Sequence, residues 1–74
     1  MIKVYGTNNC SFCYKAKVLL EELDYNFEYI VLSDKETLSE FKELFPGKKT
    51  VPQIMFDGEY IGGYNELVEF LNKG

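Results

Sequence analysis

Cys10 and Cys13 are the two cysteines of the chain, in the run Tyr5-Gly6-Thr7-Asn8-Asn9-Cys10-Ser11-Phe12-Cys13. A strand-like segment precedes them and a helix-like segment follows. Two residues between cysteines at a helix start is a spacing with chemical consequences. The first sulfur meets unpaired backbone N–H groups and the positive end of the helix dipole. Thiols at such positions ionise at roughly pH 3.5–7.5, against about 8.5 for a free thiol. The second sulfur lies one turn further in, close enough to form a disulfide with the first. A pair of this kind can attack a disulfide as a thiolate and then resolve the mixed disulfide. Cys10 is therefore the candidate nucleophile. Cys13 is the candidate resolving thiol and should be the less exposed of the two. Two plainer readings stand beside these. Cys10 could be half of an intermolecular zinc or cluster site, and Cys13 a small buried core residue. Lys15 and Lys17 read as solvated helix lysines, with the alternative that they add positive potential near the sulfur.

Histidine is absent. The commonest general base and the commonest metal ligand are thereby removed together. With two cysteines and no histidine, one chain cannot build a four-ligand zinc site from the usual soft ligands. No resident metal is expected.

The elements that must position the cysteines are legible along the 74 residues, read as a single domain over 1–74. A chain this short buries only roughly 60% of its unfolded surface. The 46% apolar fraction, with six Phe and six Tyr, is rich enough for a packed core. Ile2 to Tyr5 reads as a first strand, and Gly6 to Asn9 as a polar turn. Phe12, Ala16, Leu19, Leu20 and Leu23 repeat at helical spacing from Ser11 to about Leu23. Asp24-Tyr25-Asn26 breaks that helix. Phe27 to Val31 alternates as a second strand. Ser33 or Asp34 can cap a second helix, with Leu38, Phe41, Leu44 and Phe45 as its buried stripe and Pro46-Gly47 as its stop. Gln53 to Phe56 is a third strand and Glu59 to Ile61 a fourth, joined through Asp57-Gly58, a hairpin signal. Gly62-Gly63 turns into a last helix carrying Leu67, Val68, Phe70 and Leu71. The order βαβαββα predicts an α/β fold with a four-stranded mixed sheet and three flanking helices. Its first two strands are parallel through a helical crossover, and its last two form an antiparallel hairpin. Phe27, Tyr29, Phe41, Phe45, Phe56 and Phe70 sit at core spacing and read as packing.

A net charge of -4 without a basic cluster beyond Lys48-Lys49 argues against nucleic-acid binding. No apolar run approaches membrane-spanning length. The chain opens directly on a strand, leaving no room for a targeting segment, so a cytoplasmic location is expected. In a reducing cytosol the pair is more readily catalytic than a structural disulfide.

Cys10-Ser11-Phe12-Cys13, then Thr50-Val51-Pro52-Gln53, then Ile61-Gly62-Gly63-Tyr64 resemble a glutaredoxin of the dithiol CxxC type. These are small thioredoxin-fold oxidoreductases that work with glutathione. The resemblance covers nearly the whole chain, with motif order and spacing intact. It implies a glutathione-dependent thiol-disulfide oxidoreductase acting through Cys10 and Cys13. Protein disulfides or glutathionylated proteins would be its substrates, and glutathione its reductant. Ribonucleotide reductase is a partner within the family. The implied glutathione contacts are Thr7, Phe12, Thr50, Val51, Pro52, Gly63, Tyr64 and Asn65. Gln53 would line the same groove, and Lys49 is either a handle for a carboxylate or a solvated loop residue. X-Pro bonds are cis in only roughly 5–6% of cases, so Val51-Pro52 alone reads as trans. The resemblance implies cis, with the proline facing the cysteines and Val51 turned to pair with a peptide-like ligand. Gly62-Gly63 alone reads equally as a tight turn. Within the resemblance it opens a helix whose N–H groups take a carboxylate.

The chain departs from the family pattern at four places. Ser11 replaces a frequent proline, Phe12 a usual tyrosine, Thr7 a common lysine, and Asn65 an acidic residue that often follows the glycine pair. A monomer is expected. The alternative from another class is a carrier or sensor in which Cys10 of two chains and two glutathiones hold a [2Fe–2S] cluster, a reading that Ser11 keeps open. A thioredoxin-like reductant recharged by a flavoprotein reductase is a further alternative. It is weakened because the chain has no tryptophan.

Overall fold

The computed structural model describes residues 1–73. Its elements run β1 (Ile2–Gly6), α1 (Ser11–Glu22), β2 (Phe27–Val31), α2 (Lys35–Leu44), β3 (Gln53–Phe56), β4 (Glu59–Gly62) and α3 (Tyr64–Asn72). Strands lie in the order β2-β1-β3-β4. β1 and β2 are parallel, with Ile2 opposite Phe27 and Gly6 opposite Val31. β1 and β3 are antiparallel, as are β3 and β4. The expected mixed sheet and three helices are thus present, and each sequence-derived boundary falls within one residue of the observed one.

Local chemistry accounts for the element ends. Asp57 and Gly58 have φ of 49° and 85°, the pair of positive angles that a tight type I′ hairpin requires. Ile61 is the extra residue between the Ile54–Gly62 and Met55–Tyr60 pairs, a bulge that bends β4. Helix α1 ends without glycine. Asp24 takes φ 60°, and the N–H groups of Asp24 and Tyr25 donate to the Glu21 and Leu20 carbonyls. This is the double bond of a Schellman cap, with aspartate in the left-handed position. Asp34 caps α2 by accepting the Thr37 N–H at 2.8 Å, while the Thr37 hydroxyl oxygen accepts the Asp34 N–H at 3.3 Å.

Strand β1 is buried on both faces except at Lys3. Beneath α1 and α3 it contributes Ile2 and Val4 to a core shared with Ala16, Leu20, Ile54 and Leu67. Beneath α2 it contributes Tyr5, packed with Phe41 and Phe45. Two residues of the expected α2 stripe correct that expectation: Leu38 and Leu44 are 45% and 41% exposed. The helix has only 10 residues, and its buried side chains against the sheet are Phe41 and the cap residue Phe45. Leu23, also expected inside, is the exposed cap residue of α1. Phe12 is half exposed and Phe70 40% exposed; each rests on another ring, Phe12 on Tyr64 and Phe70 on Phe56.

Candidate active site

The site starts where β1 ends and α1 begins. Cys10 is the N-cap residue of α1, with extended backbone angles of φ -118° and ψ 114°. That conformation aims its side chain back at the helix start. Its sulfur accepts the Cys13 N–H at 3.2 Å. The sulfur thereby takes the capping role that a serine or aspartate oxygen usually plays. A thiolate there is stabilised by that N–H and by the helix dipole. Cys10 is partly exposed and Cys13 is fully buried, as a nucleophile and a resolving thiol require.

Behind Cys13 the sheet comes very close. A Cβ added to Gly6 would lie 2.7 Å from the Cys13 sulfur and 2.6 Å from the Tyr29 hydroxyl. Only glycine leaves room there. The Tyr29 hydroxyl donates to the Thr7 carbonyl at 2.7 Å. Burial pushes the Cys13 thiol above its ordinary value, and the hydrogen bond to Cys10 adds to the shift. Tyr29 is raised as well, first by burial and then by the neighbouring Cys13 thiol. Cys13 is therefore disfavoured as a thiolate while it stays buried. Tyr29 read as a packing residue in the sequence. Its alternating position in β2 marks it as inward-facing, but nothing local shows that its polar end meets a cysteine.

Lys17 lies over the Tyr29 ring, 4.5 Å from the centroid. It lines a small cleft of about 60 Å³ with Thr7, Asn8, Cys10, Tyr14 and Tyr29. Lys15 lies 4.9 Å from the centroid of Phe12. The two lysines that read as solvated thus sit against site aromatics.

The opposite wall is the loop before β3. The Val51-Pro52 bond is cis. The Val51 carbonyl lies 3.6 Å from the Cys10 sulfur, as acceptor of its S–H. Gln53 corrects an expectation, because it is buried and does not line a groove. Its amide donates to the Thr50 carbonyl at 3.0 Å and to the Thr50 hydroxyl at 3.2 Å. Its own carbonyl accepts the Tyr60 hydroxyl at 2.6 Å. Tyr60 thus holds Gln53, and Gln53 holds Thr50 in the turn that presents Val51. Sequence reasoning missed Tyr60 because the contact crosses the β3–β4 hairpin.

Helix α3 closes the site. Its N-cap, Gly63, approaches the loop: a Cβ there would lie 3.4 Å from the Pro52 carbonyl oxygen. Tyr64 stacks with Phe12, centroids 5.8 Å apart, joining the starts of α1 and α3. Glu66, not singled out by the motif, folds back so that its carboxylate accepts the Gly63 N–H at 2.7 Å. An acidic group therefore does stand at the start of α3, one position beyond Asn65. A side chain on Gly62, at φ 129°, would strike the Glu66 Cγ at 2.7 Å. Asn65 is exposed. The structure thus brings Cys10 against the Val51-Pro52 loop, Gly63 against the Pro52 carbonyl, and Phe12 against Tyr64. Thr7 lies on the Tyr29 side of Cys10. Lys49 is exposed in the loop before Thr50.

The family model described as Glutaredoxin matches residues 2–61. The chain is 39% identical over 75 residues to Glutaredoxin 1 of Rickettsia conorii, covering 99% of this chain and 74% of that protein. It is 30% identical over 73 residues to Glutaredoxin 3 of Escherichia coli, covering 99% of this chain and 88% of that protein. Among solved structures, Glutaredoxin 1 from Francisella tularensis complexed with cacodylate superposes with a TM-score of 0.80 at 34% identity, over 97% of this chain and 92% of that one. Reduced Escherichia coli glutaredoxin superposes with a TM-score of 0.82 at 26% identity, over 99% of this chain and 94% of that one. With a partly exposed cysteine capping α1, a buried partner one turn on and a cis-proline loop facing them, the chain belongs to the glutaredoxin family of thioredoxin-fold thiol-disulfide oxidoreductases.

Proposed function

We propose that the chain is a glutathione-dependent reductase of protein disulfides and glutathione mixed disulfides, working in the cytoplasm. The observation that carries this reading is the placement of Cys10, whose sulfur is partly exposed at the start of α1 and lies 3.6 Å from the Val51 carbonyl. An extended peptide-like ligand laid along Val51 would bring its own sulfur to Cys10, with backbone hydrogen bonds supplying the register. The tripeptide-like backbone of glutathione fits that mode. Phe12 and Tyr64 flank the path. The start of α3 offers N–H groups to a carboxylate, and Glu66 holds that of Gly63. The residues assigned to glutathione are Thr7, Phe12, Thr50, Val51, Pro52, Gly63, Tyr64 and Asn65.

Chemistry proceeds in two exchanges. The Cys10 thiolate attacks one sulfur of a substrate disulfide. A Cys10–substrate disulfide forms and the other substrate sulfur leaves as a thiolate. Glutathione, or Cys13 from within, then attacks the Cys10 sulfur and releases the remaining substrate thiol. The substrate disulfide is reduced, and Cys10 is left in a disulfide with Cys13 or with glutathione; further glutathione thiolate exchanges with that bond, frees Cys10 and leaves as glutathione disulfide.

A coupled assay tests the reading. Turnover is expected with glutathione plus glutathione reductase as electron source, and loss of all turnover in Cys10→Ser. Cys13→Ser is expected to keep glutathione mixed-disulfide reduction and to lose reduction through an intramolecular disulfide. Turnover with thioredoxin reductase alone would sink glutathione dependence.

A further inference from the structure

In the intramolecular route Cys13 makes the second attack, yet Cys13 is fully buried and burial disfavours its thiolate. Some group must stabilise the charge at the moment of attack. From outside α1, the Gly6 backbone, the Thr7 backbone and the Tyr29 hydroxyl approach the Cys13 sulfur. Of these, only Tyr29 carries a donor that can rotate. Its hydroxyl and the Cys13 sulfur converge on one point above Gly6, 2.6 and 2.7 Å from it. In the resting structure that donor is spent on the Thr7 carbonyl at 2.7 Å.

We propose that Tyr29 is a positioning residue for the Cys13 step, its hydroxyl turning from the Thr7 carbonyl to the Cys13 sulfur as that sulfur becomes the attacking thiolate. This rests on the functional reading above and deepens it. In the step, Cys13 Sγ forms a bond to Cys10 Sγ and the bond from Cys10 to the substrate sulfur breaks. The electron pair leaves on the substrate sulfur, which ends with the proton that Cys13 gave up. The cysteine pair is oxidised to a disulfide and the substrate is released as a thiol. Tyr29 neither gains nor loses a proton, because burial holds its own hydroxyl protonated well above neutral pH. The other titratable or charged groups facing the pair are Cys10, at the start of α1, and Lys17, whose ammonium sits on the Tyr29 ring. A cation on that face makes the phenol O–H a better donor.

Gly6 has a second part in this. Any side chain there would separate the hydroxyl from the sulfur. The close approach of β1 to α1 is therefore what brings a residue of β2 into the chemistry.

The test compares two reactions of the full chain and its Tyr29→Phe variant. One is reduction of a glutathione mixed disulfide, which uses Cys10 alone. The other is reduction of a protein disulfide through the Cys10–Cys13 disulfide. Tyr29→Phe should lower the second rate relative to the first by roughly tenfold, the scale of one hydrogen bond to a charged group. In a Cys10→Ser background, where Cys13 is the one thiol left, thiolate absorbance should titrate about one pH unit higher with Tyr29→Phe than without it. Equal loss in both reactions, or an unmoved Cys13 titration, would overturn the proposal and leave Tyr29 a packing residue. A wild-type chain that performs the first reaction but not the second overturns it also. A wild-type chain inactive in both with glutathione overturns the functional reading instead.

Discussion

The two faces of the sheet are built differently. Beneath α1 and α3 the core is aliphatic: Val4, Ala16, Leu20, Ile54 and Leu67 are completely inaccessible to solvent, and two helices cover them. Beneath α2 the core is a cluster of rings in edge-on and tilted contact. Phe45 contacts Tyr5, Phe41 and Tyr60 at centroid distances of 5.3, 5.0 and 5.4 Å. One short helix covers this face, leaving Leu38 and Leu44 exposed and a cleft of about 460 Å³ beside Met1, Lys3, Leu44 and Met55. That cleft contains neither cysteine. The dithiol belongs to the first face, since Cys13 and Ala16 are successive buried residues of α1. The loop that faces it belongs to the second, through Val51 against the aromatic cluster and Tyr60 on Gln53. Cys10 and Cys13 are carried by the layer that two helices cover, and the Val51 loop facing them by the layer that one short helix covers.

The comparison can be broken most directly in the aliphatic layer. Leu20→Ala should cost about 2–5 kcal/mol in chemical denaturation, the range for deleting a fully buried leucine. Leu38→Ala on α2 should stay within about 0.5 kcal/mol, as for a surface residue. Comparable losses would mean that α2 is sealed as tightly as α1.

A somewhat smaller effect is expected where the aliphatic layer meets the site. Gly6→Ala places a methyl group 2.6–2.7 Å from the Tyr29 oxygen and the Cys13 sulfur. Overpacking of that kind costs about 1–3 kcal/mol. Because both groups must move, Cys13 alkylation by a small thiol reagent should also quicken. Unchanged stability together with unchanged alkylation would show that the approach of β1 is looser than it looks.

The smallest effect sharpens the aromatic side. Tyr5 donates to Glu40 at 3.3 Å, and Tyr5→Phe should cost on the order of 1 kcal/mol at neutral pH. Its pH signature is more telling. Burial, then the Glu40 charge, push Tyr5 up to about 12, whereas an unfolded tyrosine ionises near pH 10. The folded chain therefore holds a proton that the unfolded chain releases. The resulting stability is complete below about pH 10 and is lost as the pH rises toward 12. Tyr5→Phe should flatten part of this alkaline decline, measured by denaturation midpoints from pH 9 upward at roughly half-unit intervals. Tyr29, shifted in the same direction, keeps the remainder. A decline of the same slope in Tyr5→Phe would remove Tyr5 from the balance.

Much of the molecule was legible before the structure because its signals are local. Helical spacing from Phe12 onward, alternation from Phe27, the Asp57-Gly58 turn and the Asp34 cap each act within a few residues. The order βαβαββα and the placement of Cys10 at a helix start follow from them. So does the placement of the two sulfurs, since a two-residue spacing at a helix start leaves one at the end and the other a turn inside. Leu38, Leu44 and Phe70 show the limit: periodicity tells which residues share a face, not how much of that face a neighbour covers.

What tertiary structure alone decided is which distant groups meet those sulfurs. Tyr29 reaches Cys13 because β2 pairs in parallel with β1, and Gly6 has no side chain to stand between them. The Val51 carbonyl comes to 3.6 Å from the Cys10 sulfur because β3 lies antiparallel beside β1. Gln53 became a brace, and Tyr60 its anchor, across a hairpin. A sequence carries the types and spacing that make a thiolate possible. The hydrogen bonds around it are contacts between chain segments, and those distances exist only once the sheet has formed.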